Sequence, residues 1–534
     1  KAWTCNCRSG SGAYDGDTIF NFGQRAFAYT APSGYKSLNT SSLPTPTIAD
    51  GSTAFNGVTY TGDGNSPRDI TGYSFSPDLV WYKQRDSARD HQLYDIVRGA
   101  GTDKSLATNT TYAENANDDE LYGYLSAFNS DGFEVTTGST NYNYNNNSGS
   151  TYVAWAWDAG SSNTTIAAGE LNSSLYDQSR TWSGDLSASN LASPTLMFDW
   201  TYGYGTYTGT CTWTTTNAAY SNLSGRVYLA NNTTVTLGIT FKDSNGTTLG
   251  TFNLPWTGNG TQMQDTGFDW SSSVATVEIT GNYLPVRVQI GSKTIVDTGV
   301  TVSNVPSIAS TVRANPSAGF SIVSYTGNNT NSSVGHALNA TPGLVIVKSR
   351  SATSLTGWMV KHSSLSSNYN LALNLTDAAW NPANNGWIGN LTSSSTFSLV
   401  NGSSNGANVN ESGTDFIAYC FAPVEGYSAF GSYTGNGSSD GPFVHTGFRP
   451  AFLLVKQSNA IQNWVIVDSE RSPSNVVDKG LYADLSNAEQ TSNRCDFLSN
   501  GFKIRINSGE LNTNNGTYVY LAFAENPFKT ARAR

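Results

Sequence analysis

Two Asp-Thr-Gly triplets begin at Asp265 and Asp297. They carry the residue pattern with which a pair of carboxylates shares one proton in peptide hydrolysis. Their placement argues for turns instead: that chemistry sets its triplets in separate lobes, whereas these lie 32 residues apart in one small unit, and Asp, Thr and Gly are ordinary turn residues. Four histidines, His91, His336, His362 and His445, show neither metal spacing nor a companion nucleophile motif and read as surface or loop residues. Cys5 and Cys7 form a CxC without a second ligand pair, and Cys211, Cys420 and Cys495 stand far apart. Neither a zinc site nor a disulfide framework is implied, and Cys420, within an alternating strand, reads as a small buried hydrophobe. The acidic run of Glu114, Asp118, Asp119 and Glu120 has oxygens for calcium but not the EF-hand order, and reads as a solvated loop. The sequence therefore predicts no catalytic residue, no cofactor and no metal. A glycosidase carboxylate pair stays open, because that pair has a geometry but no fixed spacing.

Saccharide binding is the chemistry the residue types fit better. It needs flat aromatic faces for the apolar side of a sugar ring, with short amides and hydroxyls to fix its hydroxyl groups. One stretch, 141–150, sets Tyr142 and Tyr144 among asparagines; another, 200–207, sets Trp200, Tyr202 and Tyr204 among glycines. Glycine leaves room for approach, and tyrosine supplies rigid contact area at low entropic cost. The alternative is that these aromatics pack against a neighbouring subunit or fill their own sandwich.

The elements that must position such residues are strands. Charged residues are only 13% of the chain, and Gly, Ser, Thr and Asn dominate, but the 12% aromatic content supplies the buried area that disordered segments lack. Abundant Thr and Val with three methionines disfavour helix. A net charge of −10 without a basic stripe argues against nucleic acid, and no apolar run is long enough to span a bilayer. The chain opens at Lys1 within strand-like sequence, which reads as a processed or partial product.

One cassette recurs three times. Tyr60, Tyr325 and Tyr433 each open a Tyr-Thr-Gly triplet, followed at matched spacing by Pro77, Pro342 or Pro450, an apolar run and Lys83, Lys348 or Lys456. Each cassette closes on a second strand, YVAWAW from Tyr152, FIAYCF from Phe416 and YVYLAF from Tyr518. Constant spacing in divergent sequence marks a duplicated folding unit. Leu79, Val80, Trp81 and Tyr82 read as a strand buried on both faces. Asp131 with Gly132, and Asn500 with Gly501, read as hairpin turns. The second cassette has no such Asp-Gly-Phe turn and carries Trp380 and Trp387 instead. The predicted organisation is an all-β tandem array of β-sandwich, jelly-roll or concanavalin A-like, domains. Residues 1–50 are the end of a β domain plus a linker, 51–160 the first cassette, 161–310 a separate sandwich, 311–425 the second cassette and 426–534 the third. The minimal break at 423–426 implies a fairly rigid rod.

The cassette resembles repeated domains of tail-fibre and related structural proteins of marine bacteriophages, and the stretch from Phe20 resembles the end of a SPRY-like, concanavalin A-like domain that precedes them. The resemblance implies an external virion protein, commonly a homotrimer, docked to other tail or capsid proteins and binding a bacterial cell-surface glycan multivalently. A depolymerising spike and a purely structural head fibre or decoration protein are the alternatives.

Overall fold

The structure, a computed structural model, describes residues 45–168 and 306–527, apart from 115, 117–118, 141–143, 352–356, 383 and 403–407, together with the strands between 176 and 297. The chain is all-β: among the described residues only two four-residue α-helices occur, Asp119–Tyr122 and Gly509–Asn512.

Each cassette builds one inner sheet from four corresponding strands. In the first, the opening strand Phe55–Thr61 pairs with the closing strand Thr151–Trp157, which pairs with the inner strand Leu79–Gln84, which pairs with the return strand Gln92–Asp95. Phe320–Thr326, Asp415–Phe421, Leu344–Ser349 and Met359–His362 repeat this order in the second cassette. Ser428–Thr434, Thr517–Pro527, Phe448–Gln457 and Val465–Asp468 repeat it in the third. The expected tight turns are present, with Asn129 opposite Gly132 and Leu498 opposite Gly501.

The three inner sheets do not line up as a rod. Their apolar faces meet, forming one core shared by all three cassettes. At its centre Trp157, Phe421 and Phe523, which occupy the same place in their closing strands, form a triangle of rings with centroids 5.7 to 6.4 Å apart. The reason lies in the inner strands, which are apolar on both sides. Leu79 and Trp81 enter the shared core, while Val80 and Tyr82 face the cassette's own outer sheet. A rod would leave the first set in water, and burying aliphatic or aromatic side chains is worth about 1.5–3 kcal/mol each. The cassettes therefore close into a pseudo-threefold ring within one chain.

The Tyr-Thr-Gly triplet explains itself here. Tyr60, Tyr325 and Tyr433 stack on the first aromatic of their closing strands, Tyr152, Phe416 and Tyr518. Their hydroxyls donate to the carbonyls of Asn145, Val409 and Leu511. The next residue, Asn146, Asn410 or Asn512, is buried and clasps the loop after the triplet, accepting from the N–H of Asp63, Asn328 or Asn436 and donating to the carbonyl two residues on. Glycine is required because a Cβ on Gly62, Gly327 or Gly435 would lie 1.9 to 2.3 Å from a carbonyl oxygen of that clasp.

Neighbouring cassettes meet at three seams. A backbone bond recurs at each: Glu114 N–H to Arg350 O (3.0 Å), Glu489 N–H to Arg85 O (2.7 Å) and Ala379 N–H to Ser458 O (2.8 Å). Around it, the seam between the first and second cassettes carries a network of Asp95, Arg98, Glu114 and Arg350, with the Tyr419 hydroxyl donating to Asp95 at 2.8 Å. The seam between the third and first cassettes repeats it with Asp468, Arg471, Glu489 and Arg85, and the Trp155 indole donating to Asp468 at 3.1 Å. In the seam between the second and third cassettes the five corresponding residues are His362, Leu365, Ala379, Ser458 and Leu521, so the network is absent.

Asn163–Ile166 pairs with Ser310–Asn315 and extends the second cassette's sheet, so the central unit departs from and returns to that edge. Within it, Leu237–Lys242 and Thr248–Leu254 form one hairpin, and Arg287–Ile290 and Lys293–Asp297 another. Its nine described strands form one hydrogen-bonded series, in which two antiparallel blocks are joined by the parallel pairing of Tyr176–Gly184 with Lys293–Asp297.

Candidate functional site

Strand direction gives the ring two ends. The aromatic triangle marks one, where Gly51 packs on the Ala524 carbonyl and Gly426 lies beside Pro46 and Pro527. The lysines mark the other. There Ser310, next to the start of the central unit, pairs with Ile166 and Tyr325, and Tyr325 pairs with Phe416. Both ends of the ring's chain thus lie on one side, and the central unit leaves from the opposite side.

On that distal side, the first cassette gathers tyrosines that the other two lack. The Tyr144 and Tyr122 rings lie 5.0 Å apart, tied by a 2.8 Å bond from Tyr144 N–H to Tyr122 O. Burial pushes the Tyr144 hydroxyl up to about 12, with Asp90, Tyr122 and Tyr112 adding to the shift and Arg89 opposing it. Tyr112 is 51% exposed. Asp90 accepts from Asn109 Nδ2 at 2.6 Å, and Asn109 in turn accepts from His91 N–H. The result is a half-open aromatic cluster edged by a carboxylate, an amide and a guanidinium, groups that can hold hydroxyls.

Of the residues expected to bind saccharide, Tyr144 is described, and it packs on Tyr122 rather than standing free in a loop. Tyr142, Trp200, Tyr202 and Tyr204 lie outside the described residues. The asparagines beside Tyr144 have internal tasks. Asn146 is the clasp, and Asn145 donates to the carbonyls of Tyr124 and Thr136, binding two strands of the outer sheet. Tyr112, Tyr122 and Asp90 escaped the sequence reading because they are distant in the chain. Only the fold brings them to Tyr144.

Three of the four histidines correct the expectation of surface positions. His91, His336 and His362 are buried, and His445 alone is exposed. His91 stands where the other cassettes have Trp358 and Trp464, whose indoles donate across their seams to the carbonyls of Ala107 and Ala372. His91 Nε2 lies 2.8 Å from the Tyr482 carbonyl and fills the same role. Glu114 corrects the solvated-loop reading: Arg98, Lys104 and Arg350 surround it. Asp119 is buried and accepts from the Ser105 hydroxyl. Cys420 and Cys495 are buried free thiols.

Lys83, Lys348 and Lys456 are fully buried. Desolvation lowers them to about 7, 7 and 8. Each donates to the carbonyl of the next residue, and Lys348 and Lys456 also reach across a seam to Thr111 O and Thr376 O. Lys348 and Lys456 are ties between cassettes, whereas Lys83 donates within its own cassette, to Gln84 O and Ser87 O.

The fold and these contacts define a class: a single-chain ring of three β-sandwich cassettes, carrying an inserted β unit and a distal aromatic cluster. Residues 50–184 and 255–527 match a family described as "Domain of unknown function (DUF7483)", and the chain belongs to that family. No curated protein and no solved structure matches it.

Proposed function

We propose that this chain is an external appendage of a bacteriophage particle, a tail fibre or related structure, which attaches to a bacterial surface glycan through weak, repeated, non-covalent contacts. The observation that carries this reading is the polarity of the ring. Both ends of its chain lie at one side, suited to anchoring, and the tyrosine cluster and inserted unit lie at the other, suited to presentation. The cassettes' resemblance to tail-fibre repeats supports it. Copies of the chain, three in the homotrimer that the resemblance implies, would add avidity with no new contact. Such assembly would run through segments outside the shared core, whose apolar faces are already used within one chain.

The test is binding of the purified chain to immobilised capsular polysaccharides and lipopolysaccharides, wild type against Tyr112→Ala and Tyr144→Ala. The expected result is saturable binding that either substitution weakens about tenfold, the loss of about 1.4 kcal/mol. Binding that neither substitution changes would remove the site. Affinity for virion capsid but for no polysaccharide would favour a decoration protein, and release of reducing ends would favour the depolymerising spike.

A further inference from the structure

The seam between the second and third cassettes differs from its neighbours at all five network positions at once. Where Tyr419 and Trp155 fill the other seams, Leu521 leaves a cavity of about 10 Å³, room for about one water. Its lining includes Leu344, Leu373, Leu454, Trp464 and Leu521, with His362 and Tyr520 as its titratable residues, and Lys456 crosses the same seam to donate to Thr376 O. At the distal rim Leu375 and Ile461 are exposed on either side of the bond from Gln462 N–H to Thr376 O.

His362 is held in one tautomer. Its Nδ1 accepts from Ser364 N–H at 3.0 Å, so Nε2 carries the proton and faces the Tyr520 carbonyl at 3.0 Å. A second proton would have to enter at Nδ1, against a donor. No ion pair relieves it: the adjacent cation, Lys361, points its ammonium at the carbonyls of Ser366 and Tyr369, and the facing strand offers Tyr520, Val519 and Leu521.

We propose that this seam is the hinge of the ring: on acidification His362 takes a proton and the seam opens from its distal rim, while the two charged seams hold. Residues 422–427 keep the cassettes joined at the opposite end, so the movement is a rotation and not a separation. Burial, opposed by the Tyr520 carbonyl, lowers His362 to about 4, which is consistent with a proton that enters only when the site opens. Seam contacts elsewhere survive the same range. Although burial acts to raise it, Glu489 is held below the usual carboxylate range by Arg85 and Arg471. His91, at that seam, is lowered well below the usual imidazole range by burial and then by Lys83 and Arg471, so acid acts on it in the same direction as on His362, and the Arg–carboxylate network is what holds that seam closed.

Hydrogen exchange of the intact chain at pH 7.5 and 5.0, corrected for intrinsic exchange, tests this. The expected result is that protection of Met359–His362 and of residues 519–521 falls about tenfold per pH unit below about 6.5. Gln92–Asp95 and Val465–Asp468 should keep theirs. His362→Gln, which cannot take the proton, should abolish the fall, and His91→Gln should not. If His362→Gln folds poorly, the fivefold change His362→Asp, Leu365→Arg, Ala379→Glu, Ser458→Arg and Leu521→Tyr transplants the whole neighbouring network and should also abolish it. Equal loss of protection at all three seams, an unchanged wild-type seam, or a fall that persists in the variants would overturn the hinge.

Discussion

The charged seams and the neutral seam solve the same docking problem by different means. Both close the ring with the same backbone bond and a buried cross-seam contact from the return strand or the residue before it. The charged seams add two arginines and two carboxylates joined in three ion pairs, with an aromatic donor, whereas the neutral seam has aliphatic contact and a small void. Removing one partner of a buried network leaves an uncompensated charge, whereas replacing the whole set with apolar residues is often neutral. That asymmetry favours a seam that carries all five network residues or none, since a partial network leaves a buried charge without its partner.

The comparison can be broken most forcefully at Arg471. Arg471→Ala leaves Asp468 without its cation and removes one of the two cations on Glu489, and is expected to cost about 3 kcal/mol of unfolding free energy in denaturant titration. Leu365→Ala, its counterpart in the neutral seam, should cost about 1 kcal/mol. Similar losses at both would mean that the seams do not differ in kind. Next comes the clasp. Asn512→Ala takes the partner from the Asn436 N–H and a donor from the Ser438 carbonyl and should cost about 2–3 kcal/mol, with Asn146→Ala and Asn410→Ala matching it if the cassettes are equivalent.

A smaller effect per unit follows from the buried lysines. Lys83, Lys348 and Lys456 have folded values of about 7 to 8, below the 10.5 of the free side chain. Between those limits the unfolded chain binds more protons, so stability should rise from about pH 8 to pH 10, by up to about 1.4 kcal/mol per pH unit for each lysine, and level off below pH 7. Thermal melts across that range would show it, and Lys348→Met should lower the slope by about a third. The smallest expected effect on folding is that of Tyr112→Ala, within about 0.5 kcal/mol, so a binding defect in that variant reports on the distal cluster alone.

Much of this fold can be read from the sequence, and the limits of the reading are physical. The alternation of Leu79 to Tyr82 and the Asp131 and Asn500 turns are local signals, and the structure has them. Closure into a ring is not local: apolar residues on both faces of a strand are equally consistent with stacking along a line. A trace of the seams was nonetheless present. Asp95 and Arg98, and Asp468 and Arg471, repeat an Asp-x-x-Arg spacing that becomes His362 and Leu365 in the second cassette. Aligned on the repeated lysines, His91 falls on Trp464, whereas Trp358 lies two residues further along, so only the return strands, which each of the three residues immediately precedes, bring all three into line. The distal cluster had no comparable signal, since Tyr112, Tyr122 and Tyr144 converge only through loops that cross between sheets.

The contact between Gly51 and Ala524 has a mechanical meaning. Tension applied to the ring's two chain ends would enter by the first cassette's opening strand and leave by the third cassette's closing strand, so it would load the charged seam between those two cassettes and spare the neutral one. A load that reached the ring through its inserted unit would instead cross the second cassette. Such a body would stay closed when pulled from its base and deform when tugged from its tip.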